Sequence, residues 1–206
     1  MIRLSIIVAA TAKNGIGKGG TMPWHIHDDL RYFAHVTQNA PEGTQNAVIM
    51  GRKTWESIPA KNRPLSKRLN IVISNDDSYN LFVHLYTFIR PGTAVLVKSL
   101  EQALHVSSDV PINRGFIVGG ASLYQKTLIP TPEAEVDRVL VTRITAPEFD
   151  CDTFMPDFTT YGKWVRASHQ ALVDWVGFPV AEGAQKQADG TEYEFQMWTR
   201  VEEQAK

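Results

Sequence analysis

The stretch Ala47-Val48-Ile49-Met50-Gly51-Arg52-Lys53-Thr54-Trp55-Glu56-Ser57 sets the fold class. It opens on consecutive apolar residues, the pattern of a short strand covered on both faces. Gly51 then turns the chain, and residues 52–57 read as a helix that starts on two cations and a hydroxyl. The same alternation continues outward. Residues 4–10, 69–74, 94–97, 116–118 and 138–144 are further β-rich runs. Helical stretches at 26–38, 100–106 and 121–128 lie among them. Ser99, with Gln102 three residues on, carries the signature of a capping box at the start of the 100–106 helix. Alternation of this kind predicts an α/β fold, a central mostly parallel sheet of about eight strands with flanking helices. After Ile144 the helical signals stop. Residues 164–173 and 193–201 read as strands, which predicts a C-terminal antiparallel hairpin joined by the polar 183–190 loop. The whole of residues 1–206 is expected to form one domain.

Composition narrows the class of function. The chain has 206 residues, 43% hydrophobic and 21% charged, with a formal net charge of −1. That length buries a full core without staples. The near-neutral charge gives no global field for nucleic acid or an anionic membrane, so any anion site must be a local cluster. Cys151 is the single cysteine, which excludes a disulfide within the chain and any multi-cysteine metal site. A reducing compartment fits this usage. The apolar run at 4–10 is too short for a membrane span, and Thr11, Lys13 and Asn14 follow it without the small-residue pattern of a cleaved signal. The expected location is the cytoplasm.

Asp29 is the most informative single residue. On a helical wheel at roughly 100° per residue, Val36 lies near −20° of it, Phe33 near +40°, Tyr32 near −60° and Leu30 near +100°. Asp28, Arg31, His35 and Gln38 fall on the opposite side. Asp29 is thus central to the apolar stripe. A carboxylate there loses hydration, which is costly without a partner. A capping or dipole role suits Asp28 but gives no reason for Asp29 to face the core. Asp29 is instead expected to grip a cationic or amidine-like ligand group, with its pKa raised by burial.

The chain also carries three glycine-rich turns. Gly15, Gly17 and Gly20 satisfy G-x-G-x-x-G, but Thr21-Met22-Pro23-Trp24 follows, and Pro23 disfavours the helix that a dinucleotide fingerprint opens. The segment reads as a mobile loop over a site, anchored by Trp24. Met50-Gly51-Arg52-Lys53-Thr54 and Val118-Gly119-Gly120-Ala121-Ser122 each run from strand to glycine to helix start. Either alone is equally well a tight connection with solvated charges; two in one small sheet favour a ligand with several phosphates. His25 and His27 lack acidic or cysteine partners at ligand spacing, and no metal is expected.

In order along the chain stand Ile7-Val8-Ala9, Asn14-Gly15-Ile16-Gly17-Lys18, Met22-Pro23-Trp24, Asp29-Leu30-Arg31-Tyr32-Phe33, Val48-Ile49-Met50-Gly51-Arg52-Lys53-Thr54-Trp55-Glu56-Ser57-Ile58-Pro59, Asn62-Arg63-Pro64-Leu65, Ile117-Val118-Gly119-Gly120 and Asp152-Thr153-Phe154. Each block is modest; together and in order, the sequence resembles a dihydrofolate reductase of the monofunctional, eukaryotic-like kind. The resemblance implies NADPH-dependent reduction of 7,8-dihydrofolate to 5,6,7,8-tetrahydrofolate, with hydride passing to pterin carbon 6 and a proton reaching nitrogen 5 through water. It implies a catalytic set of Asp29, Thr142, Trp24 and Met22. Thr142 would orient Asp29, whose carboxylate would take the paired N–H donors of the pterin.

The resemblance further implies substrate against Ile7, Val8, Leu30, Phe33, Ile58, Leu65, Val118 and Tyr124, with Arg68 on the glutamate carboxylate. Cofactor is expected at Ala9, Ile16, Gly20, Gly51, Arg52, Lys53, Thr54, Ser74, Asn75, Lys98, Val118, Gly119, Gly120, Ala121, Ser122, Leu123 and Tyr124. Within that set Ser74 and Lys98 would lie near the 2′-phosphate, the Gly119-Gly120 bond would be cis, and Asp152 would brace the loop from Gly15 to Met22. The resemblance also implies a monomer that binds antifolate inhibitors and neither nucleic acid nor membrane. Two positions depart from familiar relatives: Asn75 stands where animal enzymes often have arginine, and Asp29 where vertebrate ones have glutamate. Residues 76–93 and 183–190 carry no matching motif. Two other readings stay open from sequence: a reductase of another pterin-like or pyrimidine substrate, and a nucleotide-binding module without catalysis.

Overall fold

Strand propensity and burial on both faces build the centre of the molecule. The computed structural model describes residues 2–81, 94–108 and 111–201. The elements, in chain order, are β1 (Ile2–Thr11), β2 (Gly15–Gly17), α1 (His27–Gln38), β3 (Gln45–Gly51), α2 (Arg52–Ser57), β4 (Arg68–Ile73), β5 (Ala94–Val97), α3 (Leu100–Ser108), β6 (Ile112–Ile117), α4 (Ala121–Leu128), β7 (Ala134–Ala146), β8 (Thr153–Phe154), β9 (Trp164–Arg166), α5 (His169–Val176), β10 (Gln185–Lys186) and β11 (Glu192–Arg200). One nine-stranded sheet has the order β10-β11-β7-β1-β6-β3-β4-β5, with β9 also on β11. Strands β7 through β5 in that order pair in parallel. β11 runs antiparallel to β7, β9 and β10.

The expected mostly parallel sheet with an antiparallel C-terminal edge is therefore present. Residues 82–93, in the stretch without a motif, lie outside the described residues. Among the described residues, no helix is long and apolar enough to cross a membrane.

The pleat divides the core in two. Leu4, Ile6, Val8, Ile49 and Ile71 pack on one face with Ala103 and Leu104 of α3 and Leu123 and Leu128 of α4. Ile7, Val48, Met50, Val72 and Leu140 pack on the other with Val36 of α1, Trp55 of α2 and Leu172 and Val176 of α5. Alternate residues of one strand thus serve opposite layers, as strand periodicity demands. The carboxyl ends of β1, β3, β4, β5 and β6 share one edge. Open parallel sheets bind their ligands beyond that edge.

The C-terminal third corrects the sequence reading. Residues 164–173 do not form one strand: β9 ends at Arg166 and α5 begins at His169. Apolar and β-branched composition suggested a strand. The local signals for a helix are stronger: Ser168 caps the start by accepting from the Ala171 N–H at 3.2 Å, and Gly177 ends it with φ of 80°. A left-handed residue at that place favours glycine. Ser168→Ala should cost about 1 kcal/mol, read as a lower denaturant midpoint at unchanged slope.

The capping signature at α3 is also modified. Ser99 accepts from the Gln102 N–H at 3.2 Å, but the Gln102 side chain accepts from the Lys98 N–H at 2.9 Å, one residue before the cap.

Candidate active site

Asp29 sits in the first turn of α1 and is 8% exposed. The helix buries it with Tyr32, Val36 and Thr37, as the wheel implied for its face. Thr142 Oγ1 donates to Asp29 Oδ1 at 2.6 Å. Thr142 lies on β7 in register with Ala9 of β1, so sheet register carries the hydroxyl to the helix. Desolvation pushes Asp29 up to about 6, and the Thr142 hydrogen bond opposes the shift. Asp28 behaves differently. It is exposed and held below the usual carboxylate range by hydrogen bonds from Arg31 and Tyr193.

The apolar residues expected at the ligand are incompletely covered. Leu30 is 40% exposed and Met22 48%, while Phe33, Ile58 and Leu65 are half-buried. A buried acid at the bottom of an open apolar wall suits a flat ring with a polar edge. Two buried donors belong to the same core: among the described residues, Trp24 Nε1 and the Tyr32 hydroxyl have no partner. Such orphaned groups mark places for water or ligand. Burial raises the Tyr32 phenol and the Asp29 charge adds to the shift, which places that hydroxyl in the carboxylate's field.

Arg68, the first residue of β4, is 5% exposed. Its Nε donates to Ser66 O at 3.0 Å, its Nη1 donates to Thr37 Oγ1, and its guanidinium lies 5.7 Å from the Phe33 ring centroid. Among the described residues no carboxylate pairs with it. Burial lowers it to about 10, so it stays charged at neutral pH. A buried cation beside Phe33 with no carboxylate on it calls for an anion. Asn70 fixes Leu65 beside it, accepting from the Leu65 N–H at 3.0 Å and donating to its carbonyl at 2.9 Å. Sequence reasoning did not identify this brace.

At the carboxyl edge, Arg52 follows β3, Ser74 follows β4, Lys98 follows β5 and Gly119-Gly120 follows β6. The Gly51 N–H donates to Gly119 O at 2.8 Å and the Val118 N–H to Ile49 O at 3.0 Å, closing one turn on another. The Gly119-Gly120 bond is cis. Gly119 has φ of 120°, and a Cβ there would lie 3.2 Å from Tyr124 Oη and 3.3 Å from Thr54 Oγ1. Only glycine suits that backbone, which leaves peptide groups bare toward a ligand. Helix α4 starts on Gly120 without a side-chain cap, so its first N–H groups are available to an anion. These features fit a dinucleotide with several phosphates.

Ser74 is buried; Lys53, Asn75, Lys98 and Ser122 are exposed. Lys98 pairs with Asp77 at 2.8 Å, and Arg52 with Glu56 at 3.4 Å.

Not every expected residue reaches the cleft by its side chain. Val8 points into the layer opposite Asp29, with Leu123 and Tyr124. Strand alternation sends Ile7 and Ala9 to the Asp29 side and Val8 away from it. Tyr124 lies in that opposite layer too, yet its hydroxyl donates to Ile7 O at 3.3 Å, at the sheet edge. Ile16 packs at the margin of the same layer, and Gly20 is exposed with φ of 80°.

The glycine loop is pinned as well as free. β2 pairs with β8, and the Gly19 N–H donates to Asp152 Oδ2 at 2.8 Å. Arg143 adds an unanticipated clamp, donating to Thr11 O at 2.6 Å and Asn14 Oδ1 at 2.9 Å.

Comparison with known proteins gives this geometry a family. The family model described as dihydrofolate reductase matches residues 3–175. The dihydrofolate reductase of Pneumocystis carinii is 37% identical, covering 96% of each chain. That of Candida albicans is 39% identical over 96% of this chain and 97% of its own. The solved Schistosoma mansoni dihydrofolate reductase superposes with a TM-score of 0.74 at 32% identity, covering 97% of this chain and 99% of that one. With a buried acid on α1 and a bare glycine turn at the sheet edge, the chain belongs to the dihydrofolate reductase family.

Proposed function

We infer that Asp29, Thr142 and Arg68 carry in this chain the reaction of its family, the NADPH-dependent reduction of 7,8-dihydrofolate to 5,6,7,8-tetrahydrofolate. The observation behind this reading is the Asp29 carboxylate, buried among apolar groups with one side-chain hydroxyl on it. Such an acid is costly in the free protein and is offset only by a ligand with donors. The pterin edge presents two N–H donors side by side, which match the two oxygens of a carboxylate. Thr142 holds one oxygen and so sets the plane of the acid.

The negative charge at the ring's edge favours protonation of the pterin at nitrogen 5, with water carrying the proton. Leu30, Phe33, Ile58 and Leu65 exclude bulk water from the ring and strengthen that field. Arg68 takes the α-carboxylate of the glutamate tail as a planar donor pair. When bound, NADPH supplies the hydride; Arg52, Thr54, Ser74, Lys98 and the turn from Gly119 to Ser122 hold it. Met22 and Trp24 belong to the loop and anchor that cover the reacting atoms. The chain is further proposed to act as a cytoplasmic monomer and to bind antifolates that present an amidine edge to Asp29.

NADPH oxidation followed with dihydrofolate present and absent tests the activity, with NADH in place of NADPH as the control. Consumption that ignores dihydrofolate would sink the reading. Thr142→Val tests the orienting role. The Thr142 hydrogen bond lowers the Asp29 pKa, so its loss raises it. The acid limb of the rate profile should therefore move to higher pH; an unmoved limb contradicts the role.

A further inference from the structure

Helix α1 carries Asp29 in its first turn, and that turn lacks a side-chain cap. Its cap residue is Ile26, which makes no side-chain capping bond. Uncapped first turns fray, and a catalytic group on one needs an external hold. Asp28 supplies it. The Tyr193 hydroxyl donates to Asp28 Oδ2 at 3.0 Å, while Arg31 donates to Asp28 Oδ1. Arg31 is on the same helix and pairs on an exposed surface, which is worth little. Tyr193 is different: it comes from β11, and its ring is 2% exposed.

The two strands next to α1 form a ruler for this anchorage. β7 and β11 pair antiparallel, with Thr142 opposite Phe195 and Ile144 opposite Tyr193. Residues two apart share a face, so Thr142 and Tyr193 both stand on the α1 side of the sheet. Thr142 holds Asp29, and Tyr193 holds its neighbour Asp28. Adjacent helical residues are thus tied to adjacent strands, and sheet register fixes how far the Asp29 carboxylate stands from the Thr142 hydroxyl.

We propose that Tyr193, acting through Asp28, is a positioning residue for the dihydrofolate reaction: its hydrogen bond pins the first turn of α1 and keeps Asp29 within reach of Thr142. The proposal rests on the reading of Asp29 given above. The groups that face Asp29 are the phenols of Tyr32 on α1 and Tyr193 on β11, with Thr142 on β7. Both phenols are pushed upward by burial, Tyr193 to about 12, and are neutral over the working range. Asp28 and Arg31 flank the site as a pair. Loss of the Tyr193 bond therefore reaches Asp29 by geometry: a weaker Thr142 bond leaves the carboxylate pKa higher.

The test uses Tyr193→Phe, Asp28→Ala and Asp28→Asn, the last retaining an acceptor for Tyr193. Tyr193→Phe and Asp28→Ala should each lower kcat/KM for dihydrofolate by about 3- to 10-fold, the scale of one hydrogen bond. Each should move the acid limb to higher pH and leave NADPH binding, read by fluorescence quenching, unchanged. Asp28→Asn should stay near the parent. In a Thr142→Val background, Tyr193→Phe should add little, because the bond it protects is already gone. The proposal is overturned if Tyr193→Phe leaves the acid limb in place, if it acts with full force without Thr142, or if Asp28→Asn is as impaired as Asp28→Ala. Asp29→Asn, run alongside, keeps the readings apart: full activity in that variant removes the premise, whereas its inactivity beside an unaltered Tyr193→Phe removes only this proposal.

Discussion

Asp29→Asn should make the protein more stable and nearly inactive at the same pH. The stability sign follows from linkage. Asp29 has its folded pKa raised from 3.8 to about 6 by burial. The folded state therefore holds a proton that the unfolded chain has already released. The stability tied to that proton is full below about pH 4 and is lost as pH rises through about 6. At pH 8 the ionised Asp29 costs about 3 kcal/mol. Asparagine keeps the shape without the charge. The variant should match the parent in denaturant melts near pH 4 and exceed it by up to that amount at pH 8. Activity should move the other way, with kcat/KM for dihydrofolate down about 10²- to 10⁴-fold at neutral pH. A variant destabilised at pH 8, or one that keeps its rate, contradicts the account. Stability surrendered at one buried group is the usual mark of a site selected for binding.

Arg68→Met should separate binding from chemistry. Arg68 is buried with no carboxylate beside it among the described residues, and methionine fills a similar length beside Phe33. Deleting one partner of a buried ion pair costs several kcal/mol in the complex. The KM for dihydrofolate should rise by about 30- to 1000-fold while kcat holds. Without ligand, the variant should be as stable as the parent or more so, because a desolvated charge is gone. A pterin without the glutamate tail should be turned over equally by both proteins. An unchanged KM for dihydrofolate would mean that no anion meets Arg68, and the site would then suit a tail-less substrate better.

What the sequence made legible was what depends on local periodicity. Consecutive apolar runs such as 47–50 mark strands covered on both faces, and Asp29 was separable from Asp28 because a helix has one buried stripe. The turn at Gly119-Gly120 was legible because paired glycines between a strand and a helix have few other uses.

What was missed divides into local signals passed over and partners that lie far along the chain. The 164–173 segment looks like a strand by composition, but Ser168 and Gly177 bound a helix whose Leu172 and Val176 pack beneath the sheet. Val8 was grouped with Ile7 and Ala9 although strand alternation turns it to the other layer. The direction of that side chain follows from period alone. Tyr193 carried no signal of its own: its use depends on β11 lying next to β7, a pairing across about fifty residues of chain. The same holds for Asn70 on Leu65 and Arg143 on Asn14, braces that exist only once the strands are side by side.

The most direct test of the central claim is the titration of the Asp29 carboxyl in the free protein, followed by carbon NMR and assigned with Asp29→Asn. The structure gives a midpoint near pH 6. That midpoint should fall when folate is added, because the bound pterin donates to the ionised acid. A midpoint below 4 in the free protein, unmoved by folate, would mean that the protein alone satisfies Asp29, and the carboxylate would not be kept for a ligand.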